Sequence, residues 1–170
     1  MPEFLDPNQV LNQIKLDKEM TVADFGSGAG GWVIPLAKKI EDGLVYAVDV
    51  LEAPLSVLKS RANNLKNIRT IRADVEEGIK DIPDKSCDWV LMTNLLFQIE
   101  DKEAVLKEAK RVLKDNSFLL VVDWKEDSQT GPKTRVKRDE IRQIIKNAGF
   151  QLEKELNVSD HHFFMIFKKT

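Results

Sequence analysis

The chain has 170 residues, of which 42% are hydrophobic and 32% charged, a composition suited to one ordinary globular domain with a sizeable core. Its 26 basic and 28 acidic residues nearly balance at a formal −2, which leaves no global drive toward nucleic acid or an anionic membrane. The single cysteine, Cys87, excludes an internal disulfide and fits a reducing, cytoplasmic setting, and no run of about 18 apolar residues is present to span a membrane.

The opening "MPEFLDPNQV" has no basic region followed by an apolar run, so no signal peptide is expected there. Asp6-Pro7 reads as an N-cap and first helical residue, with Val10, Leu11 and Ile14 following at helical spacing. "TVADF" is a short apolar strand. "GWVIPLAKKI" is a helix that tolerates Pro35 only if it begins close by, where the first amides lack partners anyway. "LVYAVDV", "NIRTIRADV", "CDWVLMTNLL" and "SFLLVVDW" are further strands. Between them "APLSVLKSRANNL" and the amphipathic "DKEAVLKEAKRVLK" are helices, and "KRDEIRQIIKNAG" is a last helix stopped by Gly149. "FQLEKELN" and "HHFFMIFKK" close the chain as two strands joined by "VSD".

Strands alternating with helices imply a parallel sheet covered on both faces. The last connection is too short for a parallel crossover, so the final strand must run antiparallel. The expected architecture is therefore a single Rossmann-like, doubly wound α/β domain over residues 1–170, with a seven-stranded sheet of six parallel strands and one antiparallel strand. The longest irregular stretch, Lys125 to Lys137, is long enough to carry function. Its basic run, Lys133, Arg135, Lys137 and Arg138, reads as a solvated loop and helix start, with an anion site as the alternative. Cys87 reads as a small buried apolar residue, and no metal-ligand set is evident.

The stretch "DFGSGAGGW" opens a glycine-rich loop after the first strand, at the sheet edge where open α/β sheets bind ligands. Gly26, Gly28 and Gly31 satisfy G-x-G-x-x-G, with Asp49 18 residues further on, as a nicotinamide-dependent oxidoreductase requires. Three features point elsewhere. Asp24 at the mouth of the loop would repel a pyrophosphate but suits an ammonium group. Asp24, Asp49 and Asp74 stand at the ends of three successive strands. The chain is also too short for a second, hydride-acceptor domain. S-adenosylmethionine has an amino group, a ribose diol and an adenine amine but no phosphate, and fits three acids better.

With these motifs the chain resembles the class I S-adenosylmethionine-dependent methyltransferases. "VADFGSGAGGW" looks like their first motif, "VYAVDV" the second, "IRADV" the third and "CDWVLMTNLLFQIED" the fourth. "DWKEDSQTGPKTRVKRDEI" suggests the branch near the ubiquinone and menaquinone methyltransferases. The resemblance implies that Gly26, Ser27, Gly28 and Gly30, with Asp24, wrap the methionine end of the cofactor. It implies that Asp49, with Val50 beside it, holds the ribose, and that Asp74 and the Val75 amide meet the adenine. Thr93 and Asn94 would line the methionine end. The acceptor it implies is a small molecule, quinone-like or lipid-derived, with no nucleic-acid partner. "TNLLF" after the fourth strand disfavours methylation of the exocyclic amines of bases.

The same topology would bring the start of the last strand, His161-His162, beside the end of the fifth, Asp123-Trp124-Lys125. His161, His162 and Asp123 are therefore the candidate catalytic residues, with Trp124 and Phe97 in the same pocket wall; the alternative is that both histidines are exposed turn residues. Consecutive strand residues face opposite sides, so at most one histidine should face any one pocket. The alternatives to a methyltransferase are an NAD-dependent oxidoreductase and a non-catalytic cofactor-binding or interaction domain.

Overall fold

A computed structural model describes residues 5–170; the first four residues, part of the stretch expected to lack a leader, lie outside it. The elements run α1 (Pro7–Leu11), β1 (Thr21–Phe25), α2 (Val33–Lys39), β2 (Leu44–Asp49), α3 (Glu52–Arg61), β3 (Ile68–Arg72), β4 (Cys87–Thr93), a 3₁₀ turn (Leu96–Gln98), α4 (Lys102–Val112), β5 (Leu113–Trp124), α5 (Arg138–Asn147), β6 (Phe150–Leu156) and β7 (His162–Lys169). The seven strands form one sheet in the order β3-β2-β1-β4-β5-β7-β6. β7 pairs antiparallel with both β5 and β6, and the remaining pairings are parallel. No helix among the described residues is long and apolar enough to cross a membrane.

Alternation along the strands divides the core into two layers. Ala23, Phe25, Val90, Met92, Leu119, Val121, Phe163 and Met165 face one side, covered by α4 and α5 through Val105, Leu106, Ile141 and Ile145. Val22, Leu91, Leu120, Val122, Phe164 and Ile166 face the other, covered by α1, α2 and α3 through Val10, Leu36 and Leu58. Burial on both faces is why these strands read as continuous apolar runs rather than alternating ones.

The helices end where local chemistry stops them. Asp6 caps α1, its Oδ1 accepting the Asn8 amide at 2.9 Å, but α1 closes at Leu11, before Ile14. α2 starts at Val33, so Pro35 falls in its first turn, where its missing N–H costs no intrahelical bond. α3 stops at Arg61, short of the Asn63-Asn64 pair that sequence periodicity had carried into the helix. α4 has Asp101 as N-cap, its Oδ1 accepting from Ala104 at 3.0 Å. β3 ends at Arg72, so Asp74 sits in the following turn and not on the strand. β5 begins at Leu113, four residues earlier than its apolar run, because Leu113 pairs with Cys87 before the register shifts.

Candidate active site

The carboxyl ends of β1, β2, β3 and β4 converge on a cleft of about 350 Å³. Of the residues expected to hold a cofactor, Gly26, Gly28, Asp49, Val50, Asp74, Val75 and Asn94 line it. Asp24, Ser27, Gly30 and Thr93 are not part of its lining; all four are buried, on the strands and the loop whose ends form it. Leu51, Pro54, Ala73, Glu76, Leu95, Gln98 and Ile99 complete the lining and carried no site signal in the sequence. The exception is Leu51. It directly follows Asp49-Val50, two residues expected at the site; in the folded chain Val50 and Leu51 are exposed at 53% and 60%, an apolar surface suited to a flat ring.

The glycine loop owes its shape to two positions above all. Gly28 has φ +54°, and a Cβ there would meet no protein atom within 4 Å, so the backbone lies open along the cleft. Gly30 has φ +90°, and a Cβ there would come within 2.2 Å of Leu58 Cδ1, so glycine is needed for the close approach of loop to α3. Gly31 shows neither constraint, since a Cβ there meets nothing within 4 Å. The third glycine of a dinucleotide fingerprint should be the one that permits close packing. Here Gly30 does that, and the G-x-G-x-x-G match is one of spacing only.

The acids differ sharply in their surroundings. Asp49 accepts the Gly28 amide on Oδ2 at 2.9 Å and the Leu51 amide on Oδ1 at 3.0 Å, which orients its carboxylate at the cleft wall. Asp74 Oδ1 accepts the Glu76 amide at 2.9 Å, a turn that points the group toward the cleft it lines. Asp24 is wholly buried, and neither of its oxygens has a partner. Burial, followed by the nearby Asp49 charge, pushes its carboxyl up to about 8. Ser27 Oγ and Asn94 Oδ1 are likewise buried and unpartnered. Asn94 holds a left-handed backbone at φ 52°, while its amide continues the ladder to the Val122 carbonyl at 2.7 Å.

Polar groups left buried without partners are rare, and each invites a ligand as explanation. Here the unpartnered atoms are a carboxylic acid, a hydroxyl and an amide oxygen beside one cleft. They match a cofactor with an amino-acid end. The oriented carboxylate of Asp49 matches a diol, and Asp74 matches an exocyclic amine. S-adenosylmethionine fits the residues present.

The candidate catalytic residues do not share one pocket wall. Asp123 is register partner of Phe163 and lies on the face with α4 and α5. Trp124 is partner of His162 and lies on the opposite face, because adjacent residues on a strand alternate. Asp123 is wholly buried, with Oδ1 accepting the Trp124 amide at 2.8 Å and Oδ2 unpartnered. Burial pushes its carboxyl up to about 6, against the pull of the Trp124, Phe97 and Leu96 amides. It thus sits against the 3₁₀ turn that follows β4. His162 is buried, its ring 4.1 Å from the Trp124 indole centroid to centroid, with Nε2 unpartnered. Burial, with the His161 and Lys125 charges, pushes it down to about 4. His161 instead meets the loop, its Nδ1 2.9 Å from Ser128 Oγ.

That loop, residues 125–137, is tied by one side chain. Arg135 donates from Nη1 to the carbonyls of Lys125, Glu126 and Ser128, from Nη2 to Thr130, and from Nε to Pro132, at 2.6–3.1 Å. Gly131 packs on the Trp124 indole. Arg135 is therefore an internal tie, where the basic run had suggested a solvated one.

Comparison with known proteins points to one family. The family described as "Methyltransferase domain" matches residues 23–121, more than half of the chain. A crystal structure of a SAM-dependent methyltransferase from Aquifex aeolicus is 30% identical, with a TM-score of 0.90, covering 97% of this chain and 90% of that one. Phosphoethanolamine N-methyltransferase 3 of Arabidopsis thaliana is 33% identical over 93 residues, 55% of this chain and 18% of that protein. Demethylmenaquinone methyltransferase of Staphylococcus saprophyticus is 27% identical over 118 residues, 68% of this chain and 49% of that protein. The chain thus spans between about a fifth and a half of these curated relatives. Family match, whole-fold similarity and the cleft's chemistry agree: the chain belongs to the class I S-adenosylmethionine-dependent methyltransferases.

Proposed function

We propose that this chain, working as one domain, transfers a methyl group from S-adenosylmethionine to a small-molecule acceptor. The observation that carries the reading is the set of buried, unpartnered polar atoms of Asp24, Ser27 and Asn94 beside a cleft lined by Asp49 and Asp74. Asp24, Ser27 and Asn94 would hold the amino-acid end, Asp49 the ribose diol, and Asp74 with the Val75 amide the adenine. Thr93, at the end of β4, supports that wall. When bound, the cofactor supplies an electrophilic methyl group on a sulfonium. The protein's share is to orient the reactants and to exclude water. The oxidoreductase alternative loses support because Gly31 lacks the packing role and an unpartnered acid underlies the loop.

On the acceptor side, His162 is the stronger of the two histidines, because its Nε2 is bare and it shares a sheet face with Asp24. Displaced far below the usual imidazole range, it serves as a neutral hydrogen-bonding group and not as a base titrating near 6.5. Asp123 acts through the 3₁₀ turn that carries Gln98 and adjoins Leu95, both in the cleft wall. A quinone-like or lipid-derived acceptor is supported by the demethylmenaquinone methyltransferase relative. The buried Cys87 suits a reducing compartment such as the cytoplasm.

Two measurements test the reading. Formation of S-adenosylhomocysteine with a panel of quinol, phenol and amine acceptors should exceed the acceptor-free rate for at least one class, and a flat panel together with tight cofactor binding favours a non-catalytic domain. Asp49→Ala removes the acceptor of two ribose hydroxyls, each charge-assisted bond worth about 1.5–3 kcal/mol, and should weaken S-adenosylhomocysteine binding by well over tenfold. Binding within about threefold of wild type would sink the ribose assignment.

A further inference from the structure

Asp24, Asp49, Asp74 and Asp123 all stand near the carboxyl edge of the sheet, and Asp24 is unlike the other three. Asp49 receives two backbone amides, Asp74 one and Asp123 at least one. Asp24 receives none, though it is as buried as any residue of the core. An ionised carboxylate without a donor is far costlier to bury than the neutral acid, so the group keeps its proton instead.

Among the described residues, the elements around Asp24 offer it no cation. β2 contributes Asp49, a like charge, which opposes ionisation. β4 contributes Leu91, its register partner, and Thr93. The layer on its face is apolar, with Trp32, Val33 and Leu36 from the start of α2 and Val10 and Leu11 from α1. Ser27 in the loop is neutral. Arg61 of α3 reaches the glycine loop at the Ala29 carbonyl, 2.8 Å away, in an exposed bond. Burial and Asp49 together hold the acid at about 8.

We propose that Asp24 selects ligands bearing an amino group by surrendering its proton to solvent when an ammonium group arrives, so that such ligands bind with release of about one proton while ligands lacking the group bind with none. This rests on the methyltransferase reading of the cleft. The balance is simple. A neutral carboxylic acid and a ligand ammonium become a carboxylate–ammonium pair, and one proton passes to buffer. The pair supplies the donor that Asp24 lacks in the free protein, and its attraction lowers the acid's affinity for the proton. Affinity for amino-bearing ligands should then fall by about tenfold per pH unit on acidification below about 8, down to the bound-state value. The site would thereby tell the intact cofactor from its nucleoside fragments.

The experiment is titration calorimetry of the wild-type chain at pH 7 in two buffers of different ionisation enthalpy. The probes are S-adenosylhomocysteine and 5′-methylthioadenosine, a nucleoside thioether without the amino-acid end. The expected result is release of close to one proton with S-adenosylhomocysteine, none with the fragment, and decline of that release at about pH 9. Binding of S-adenosylhomocysteine without proton release overturns the inference and leaves the cofactor assignment standing. Equal release with both ligands also overturns it, since the proton would then come from the ribose or adenine side. Failure of S-adenosylhomocysteine to bind at all overturns the methyltransferase reading and this inference with it.

Discussion

Asp24 sets a cost that the fold bears for its site. Its proton affinity is raised on folding, from the ordinary carboxyl range to about 8. The sign follows from linkage: between about pH 4 and pH 8 the folded chain holds a proton that the unfolded chain has released, so stability is full below that window and is lost through it. Asp24→Asn should remove the slope and raise stability at pH 8 by at least about 1 kcal/mol, a few degrees in thermal midpoint. The check is a pair of thermal melts at pH 5 and pH 8; equal slopes for wild type and variant would show that Asp24 is hydrated. His162 gives the opposite sign. Its proton affinity is lowered on folding, so its contribution is present above about pH 6.5 and lost as the pH falls through about 4. Imidazole NMR signals should show one ring titrating near 4, and a midpoint near 6.5 for both rings would place His162 in solvent. The identities of these residues were legible from the motifs. Their protonation was not, because it depends on donors that are absent from their surroundings, and a sequence does not print those.

At the scale of elements, the strands were legible because two-sided burial leaves uninterrupted apolar runs such as "LVYAVDV". Boundaries were less so. Asp74 moved off β3 into a turn, and Leu113 joined β5 through pairing with Cys87, a contact no local pattern encodes. The sides of Asp123 and Trp124 follow from alternation, which the sequence did contain, yet which of them shares the face of Asp24 depends on the register of β4 with β1 and β5. The 125–137 loop was visible as a long irregular stretch, and the role of Arg135 was not, because its five carbonyl partners converge only in three dimensions. Arg135→Ala should cost about 1–2 kcal/mol and raise cleavage at Lys133 by trypsin severalfold, while leaving cofactor affinity unchanged because the loop does not line the cleft. Unchanged cleavage would mean that Gly131 on Trp124 and Ser128 with His161 hold the loop without it.

For the whole molecule, the order β3-β2-β1-β4-β5-β7-β6 explains why the cleft lies where it does. The chain crosses from β3 back over to β4, beside β1, so the loops after β1 and β4 part in opposite directions and leave a crevice at the switch point. The short link into β7 forced its antiparallel direction, and that was readable from connection length alone. The chemistry of this crevice suits S-adenosylmethionine and not a dinucleotide. The direct measurement is a competition titration of S-adenosylhomocysteine against NAD on one preparation at pH 8. Saturable S-adenosylhomocysteine binding is expected, with NAD weaker by about a hundredfold or more, a gap near 3 kcal/mol. Comparable affinity for the two ligands would contradict it.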